Sequence, residues 1–398
     1  MNNFEFYNPV HVIFGAGEIK RLAQETKKLG HKVLLVSYKD HDFFADLLEN
    51  AEKSLKDLGL EVVCLYNISE NPRMSEVAEG VKLSRAYGID VLVGLGGGSV
   101  MDATKLIAAG VLYEGDLWNM VFSRHDNTTD IQPPQKALPV VMIPTVPATG
   151  SEMNPTAVVT NDETMEKSYT WSTCMYPKIS IVDPELTCSL PPFVTACSAA
   201  DTIAHVLEFH LTGFEDAPLN NRIQEGVMLT VIEQVKKVLE KPDDVSARAH
   251  LQWASIIALN GISQPGDGWT PMHQLAHVLS AQYNLPHGAS LTIIMPAWMK
   301  HFYTARLNRY VQFAQRVFKV TDSFGSKGEI AFEGIKRFEE FLKSIGVPTQ
   351  LKSLGIEESD LPKLADEVVK ISFGQDGLLR SRPPATRDDV LKVYQLAL

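Results

Sequence analysis

A chain of 398 residues is too long for one small module, and at about 150 residues per domain it predicts two or three. Its 45% hydrophobic and 21% charged residues exclude wholesale disorder, and a net charge of 37 − 48 = −11 argues against a nucleic-acid binder, which needs a basic footprint. Cys64, Cys174, Cys188 and Cys197 show no C-x-x-C spacing, so neither a disulfide framework nor a thiolate zinc cluster is expected. MNNFEFYNP lacks the basic start and apolar core of a secretory leader, and no apolar run approaches the roughly 20 residues of a membrane span. The expectation is a cytoplasmic enzyme with no membrane partner.

The first half alternates short apolar runs with helical-period stretches. HVIFG, KVLLVSY, EVVCLY, DVLVGLG and LPVVMIPT read as strands, with EIKRLAQETKKLG, FFADLLENAEKSLKDLG and MSEVAEGVKLSRAYG between the first four. Strands this uniformly apolar predict a parallel sheet covered on both faces. GAGEI reads as a plain strand-to-helix turn. GLGGGSVMDATK leaves a strand and enters a helix. Its glycines let backbone N–H groups approach an anion, Ser99 is a candidate cap, and the helix N-terminus suits a pyrophosphate. The spacing completes neither G-x-G-x-x-G nor a Walker A loop, so a tight turn using glycine for clearance weighs equally. PTVPATGSE offers Thr145, Thr149 and Ser151 after the next strand, although an ordinary turn explains it as well. Residues 157–183 read as a hairpin and one further strand.

The β signal stops at Asp183, and DPELTCSLPP marks the boundary between a dinucleotide-binding α/β domain (1–185) and an all-helical metal-binding domain (186–398). A cleft between two such domains is a natural ligand site. In the helical half, Asp201 and His205 are spaced i, i+4, as are His273 and His277, with His287 ten residues later. One carboxylate and several imidazoles suit Fe(II) or Zn(II). Spacing alone nominates His273 and His277 as the pair of ligands, with His287 in doubt; five groups for about four coordination positions leave the choice open. Glu208 shares the Asp201 face and reads equally as a partner of a ligand or as a surface carboxylate. His11, His31, His41, His125, His210, His250 and His301 read as structural or solvent-facing. Phe122, Met153, Trp269 and Trp298 neighbour the motifs, but core packing explains each.

Taken together, FYNPVHVIFGAGEI, GGGSVMD, PTVPATGSE, the D-x-x-x-H pair and HQLAH…PHG resemble the iron-containing (group III) alcohol dehydrogenase family over essentially the whole chain. The first and GGGSVMDATK look most like its butanol dehydrogenase and NADPH-dependent aldehyde reductase branch. The resemblance implies a Rossmann-like domain followed by a helical one, a dehydroquinate synthase-like fold. It implies a metal held by Asp201, His205, His273 and His287, with His277 beside the nicotinamide. Cofactor contacts map to Asn71, Gly97, Gly98, Ser99, Asp102, Thr145, Thr149 and Lys167, and Leu186 to the adenine side. The reaction implied is hydride transfer between NAD(P)H and an aldehyde or primary alcohol, in a homodimer. The chain departs from the family's commonest loop at Val146, Pro147 and Ala148, and Pro147 removes a backbone donor.

Tyr38 stands where similar NAD-dependent members carry an aspartate, which would repel a 2′-phosphate. Lys39 follows and could face that phosphate, while Asp40 argues the other way. The reading is NADP(H), with NAD(H) the other candidate and solvent-facing caps the bland alternative. A metal- and NAD-dependent lyase of the dehydroquinate synthase type and an NAD-specific diol or glycerol dehydrogenase are the competing activities. The lyase would need a basic pocket, and the helical half shows no Arg/Lys cluster near the metal motifs.

Overall fold

The computed structural model describes residues 3–40, 44–122, 131–264, 266 and 268–398; His41 and His125 lie outside the described residues. The chain divides into two compact units. One is Tyr7–Ser189, and the other joins Met1–Phe6 to Leu190–Leu398. The division falls inside the proline-punctuated link.

The first unit is built on strands β1 (His11–Phe14), β2 (Lys32–Tyr38), β3 (Glu61–Ile68), β4 (Val91–Gly96), β5 (Val140–Pro144) and β8 (Ile179–Val182), with β6 (Thr156–Thr160) and β7 (Lys167–Trp171) forming a separate antiparallel hairpin. The six form one parallel sheet in the order β1-β8-β5-β4-β2-β3. Every residue of β4, β5 and β8 is buried, as uniformly apolar runs require when helices cover both faces. The crossovers are α1 (Leu22–Lys27), α2 (Ala45–Asp57), α3 (Met74–Tyr87) and α4 (Gly98–Val111). From β2 onward the order is β3-β2-β4-β5-β8, the doubly wound 2-1-3-4-5 arrangement. Its winding reverses between β2 and β4, and ligands bind beyond the carboxyl ends of the strands at such a point. Tyr38 and Gly97 stand at those ends.

The second unit is helical: α5 (Pro192–Thr212), α6 (Pro218–Glu240), α7 (Val245–Leu259), α8 (Pro271–Tyr283), α9 (His287–Phe302), α10 (Leu307–Arg316), α11 (Lys327–Ser344), α12 (Leu361–Ser372) and α13 (Arg387–Leu396). Two helices, α5 and α9, run through its core and are buried along almost their whole length. Trp298 on α9 is fully enclosed there, a packing residue. Around them α10 and α11 cross closely. A Cβ added at Gly334 would come 2.4 Å from the Ala314 Cβ and 2.7 Å from its Cα, a contact with no flexible atom to yield. Gly334→Ala should therefore destabilise the helical unit by about 1–3 kcal/mol through overpacking. Urea unfolding followed by circular dichroism measures it, and an unchanged midpoint would refute the crossing.

Candidate metal centre and nucleotide cradle

The α4 helix begins directly from β4, with Gly97 as N-cap and no side-chain cap. Ser99 is not the expected cap: it lies inside the first turn, and its hydroxyl donates to the Glu70 carbonyl. Close neighbours explain the glycines in part. A Cβ on Gly97 would meet the Tyr38 Oη at 2.6 Å and Val146 Cγ2 at 3.1 Å, and one on Gly98 would meet Thr149 Cγ2 at 2.6 Å. Clearance is thus one demand that the triplet meets. Val146, one of the departures in the loop, packs on Gly97, and Pro147 and Ala148 are buried.

Tyr38 is not a solvent-facing cap. Its ring packs edge-on against Phe44 with centroids 6.2 Å apart, and its hydroxyl lies at the Gly97 backbone and the Ser99 side chain. Burial, and then the Glu70 charge, raises its pKa above the ordinary phenol value. The β2–β3 register shifts between Ser37 and Tyr38, where β2 reaches this turn. Lys39 is exposed beside it.

The other nucleotide candidates gather on the same unit. Lys167 Nζ donates to Asn71 Oδ1 at 2.9 Å, joining the hairpin to the segment after β3. The Thr145 N–H donates to the Gly96 carbonyl at 3.0 Å, and Thr149 Oγ1 accepts from the Ser151 N–H at 3.2 Å. Asp102 is engaged from both sides. Its Oδ1 accepts from Ser151 Oγ at 2.5 Å and its Oδ2 from the Val158 N–H at 2.9 Å, so it ties the PTVPATGSE loop and β6 to α4. Leu186 packs with the apolar cluster on the α1–α2 face of the sheet.

The helical unit assembles the metal candidates. On α5, Asp201 and His205 project from one face as their spacing predicts; His273 comes from the first turn of α8 and His287 from the first residue of α9. Asp201 Oδ1 is 3.8 Å from His205 Nε2, 3.7 Å from His273 Nε2 and 3.6 Å from His287 Nε2. Ligand atoms of Asp201, His205 and His273 lie within 4.8 Å of one another. These separations are too long for hydrogen bonds. They approach the roughly 3.4 Å edge of a tetrahedron whose bonds are about 2.1 Å. Asp201 Oδ1 and His273 Nε2 are buried without a hydrogen-bond partner, a cost that a divalent cation would remove. His277, one turn beyond His273, has its ring 5.2 Å from that of His287 and 6.2 Å from that of His273. It lies beside the four-residue cluster.

The electrostatics point the same way. Burial favours protonation of Asp201, but the neighbouring imidazoles, His205 foremost, overcome it and hold the carboxyl well below the usual carboxylate range. Burial lowers the His205 pKa to about 4, leaving a neutral imidazole fit to ligate. Burial also opposes charge on His273, yet the Glu208 and Asp201 carboxylates outweigh it and raise its pKa to about 10. Positive charge is thus disfavoured on His205 and favoured on His273, chiefly by Glu208.

Glu208 is the buried partner that spacing left undecided. Its Oε2 accepts from His273 Nδ1 and its Oε1 from the backbone N–H groups of Met272 (2.5 Å) and His273 (3.1 Å). That fixes the His273 tautomer and leaves Nε2 for a ligand role. Thr212, one turn on, donates to the Trp269 carbonyl at 2.9 Å and accepts from its N–H at 3.0 Å. His210 is buried and structural: its Nδ1 meets Gln224 Oε1 at 3.2 Å, and burial, aided by the Arg309 charge, drops its pKa to about 3. Arg306, Arg309 and Arg382 do converge here despite their spread in sequence, but each is bonded to carbonyls of residues 211–214 at the C-terminal end of α5.

Comparison with known proteins adds independent findings. The family model for iron-containing alcohol dehydrogenase matches residues 9–184, and that for the Fe-containing alcohol dehydrogenase family C-terminal region matches residues 195–398. The chain is 36% identical over 397 residues to NADH-dependent butanol dehydrogenase A of Clostridium acetobutylicum, covering 99% of each. It is 31% identical over 403 residues to the NADPH-dependent aldehyde reductase YqhD of Escherichia coli, covering 100% of each. The crystal structure of NADH-dependent butanol dehydrogenase A from Thermotoga maritima superposes with a TM-score of 0.92 at 37% identity, over 100% of this chain and 99% of that one.

Removing the Glu208 carboxylate should weaken metal binding about 10–100-fold without changing its stoichiometry, whereas Asp201→Ala should leave no stoichiometric metal. Metal analysis after dialysis against graded chelator separates the two, and a Glu208→Ala variant with wild-type affinity would refute the bond's role.

Proposed function

Because the chain belongs to the iron-containing alcohol dehydrogenase family, we propose that it transfers a hydride reversibly between NAD(P)H and an aldehyde or primary alcohol. One observation carries this reading: Asp201, His205, His273 and His287 converge around a point whose facing atoms include a buried carboxylate oxygen and imidazole nitrogen with no other partner. These four residues would hold ferrous iron or zinc, since the same donor set accepts both. Bound there, the cation supplies Lewis acidity toward a carbonyl or alkoxide oxygen.

The remaining work falls to the chain's own groups. Glu208 fixes the orientation of His273. The start of α4, with Gly97, Gly98 and Ser99, presents backbone N–H groups and positive helix-end charge to a pyrophosphate. Asn71, Thr145, Thr149 and Lys167 surround the nucleotide, and Leu186 packs toward the adenine side. His277 holds or relays the proton at the substrate oxygen. A lyase of the dehydroquinate synthase type is disfavoured, since Arg306, Arg309 and Arg382 each donate to carbonyls that end α5, and Arg309 is buried. Cytoplasmic residence and a homodimer complete the reading; among the described residues no helix is long and apolar enough to cross a membrane.

The nicotinamide preference rests on Tyr38 and Lys39. No acid at Tyr38 repels a 2′-phosphate, and the exposed Lys39 ammonium can attract one, which favours NADPH. The comparisons do not favour it: the relatives at 34–37% identity are named NADH-dependent, and the NADPH-dependent aldehyde reductase is 31% identical.

Metal-loaded protein should consume NADPH in the presence of butanal and lose that activity on chelation; no turnover with either nicotinamide across an aldehyde panel would overturn the reading. A tenfold advantage of NADH in kcat/KM would overturn the NADPH preference alone, and Lys39→Glu should shift the ratio toward NADH. His277→Ala should retain its metal while losing about 100-fold or more in kcat.

A further inference from the structure

Beneath the glycine turn lies a buried charge cluster that the proposed chemistry does not use. Glu152, in the short 3-10 helix Ser151–Met153, is 1% exposed, and its carboxylate meets no hydrogen-bond donor from another residue, only its own backbone N–H. The ionisable groups facing it, Asp102 and Lys105, both come from α4. On the strand side, β5 and β8 carry no ionisable side chain, and the Ser180 hydroxyl bonds the Glu152 main-chain carbonyl. Farther out, the Lys167 charge acts on Asp102.

Three ionised groups here would leave one net negative charge out of water, which is costly. Lys105 does not pair with either acid directly: its Nζ donates to Asn154 Oδ1 at 3.1 Å and to the Thr156 carbonyl at 2.7 Å. One carboxylate therefore gains by carrying a proton, and hydrogen bonding decides which. Burial raises the Asp102 pKa too, but Asp102 accepts from Ser151 Oγ and the Val158 N–H, bonds that favour its ionised form, whereas Glu152 has only its own backbone N–H. Burial moves the Glu152 pKa up to about 7 and the Lys105 pKa down to about 8.

We propose that Glu152 couples dinucleotide binding to proton uptake: its carboxylate takes a proton when a diphosphate docks at the start of α4. The inference rests on the dinucleotide reading above. Lys105 lies seven residues beyond Gly98, or about 10 Å along the helix, and Asp102 about 6 Å. Thr149, packed on Gly98, is three residues from Glu152. Two added negative charges at that range, in a poorly hydrated interior, disfavour a further carboxylate. A Glu152 pKa raised by about one unit would mean uptake of about half a proton per cofactor near pH 7.5. Because the bound state has the higher pKa, affinity is full below the free-protein pKa and falls as pH rises through both values.

The test is calorimetric titration of NADH into full-length, metal-loaded protein at pH 7.5, in buffers of different ionisation enthalpy. NADH is used because it lacks a 2′-phosphate that would itself titrate. The wild type should take up about half a proton, Glu152→Gln none, and the NADH dissociation constant should rise between pH 6 and 9 by up to about tenfold more in the wild type. Infrared difference spectra should show a protonated-carboxyl band growing on NADH binding and missing from the variant. Equal uptake in the two proteins would overturn the proposal, and so would no uptake in the wild type, which needs no variant to fold. Absence of any NADH binding would overturn the dinucleotide reading and this inference with it. Glu152→Gln should also be at least as stable as the wild type above pH 8, because an acid whose pKa is raised by folding loses stability once ionised; a less stable variant there would indicate an ordinary structural carboxylate.

Discussion

The helical unit depends on a carboxylate placed where a carboxylate alone could not stay. Asp201 is buried on α5 with three imidazole nitrogens 3.6–3.8 Å away and no hydrogen bond to its Oδ1. The surrounding polar groups are arranged to tolerate it. Glu208 binds one imidazole from behind, Thr212 clasps Trp269, and three guanidinium groups close the carbonyl end of the helix. A 21-residue helix buried along most of its length carries these polar side chains at a cost wherever a partner is missing, and a divalent cation would satisfy Asp201 Oδ1.

In the α/β unit the governing constraint is topological. Reversal of winding between β2 and β4 leaves the carboxyl ends of those strands open, and α4 starts there with three glycines. Tyr38 and Thr149 then approach so closely that even a methyl group on Gly97 or Gly98 would collide. The turn is thus held tightly from within the protein.

Much of this was legible in the residues. Alternating apolar runs and helical periods give a parallel sheet, and the i, i+4 pairs put the metal candidates on two helices. The α9 helix gives no amphipathic period because it is apolar around its circumference and buried, and it contains Pro296. Spacing could not decide Glu208, since its partner His273 is 65 residues away in sequence. Ser99 looked like a cap, but the backbone of Gly97 already occupies that position and the hydroxyl turns to Glu70. Exposure was the bland alternative for Tyr38, as for any strand end, but its ring is partly buried and packs against Phe44. The Glu152 cluster joins α4 to a loop about fifty residues later, a contact with no periodic signature.

Glu208 has a consequence for the metal that the site would accept. Its bonds to the Met272 and His273 backbone and to the His273 ring tie the start of α8 to α5, so the orientation of that imidazole is set by contacts within the protein. An imidazole held in this way narrows the coordination geometries that the four side chains could offer, so a cation bound there would be judged by the shape it accepts as well as by its affinity for nitrogen and oxygen.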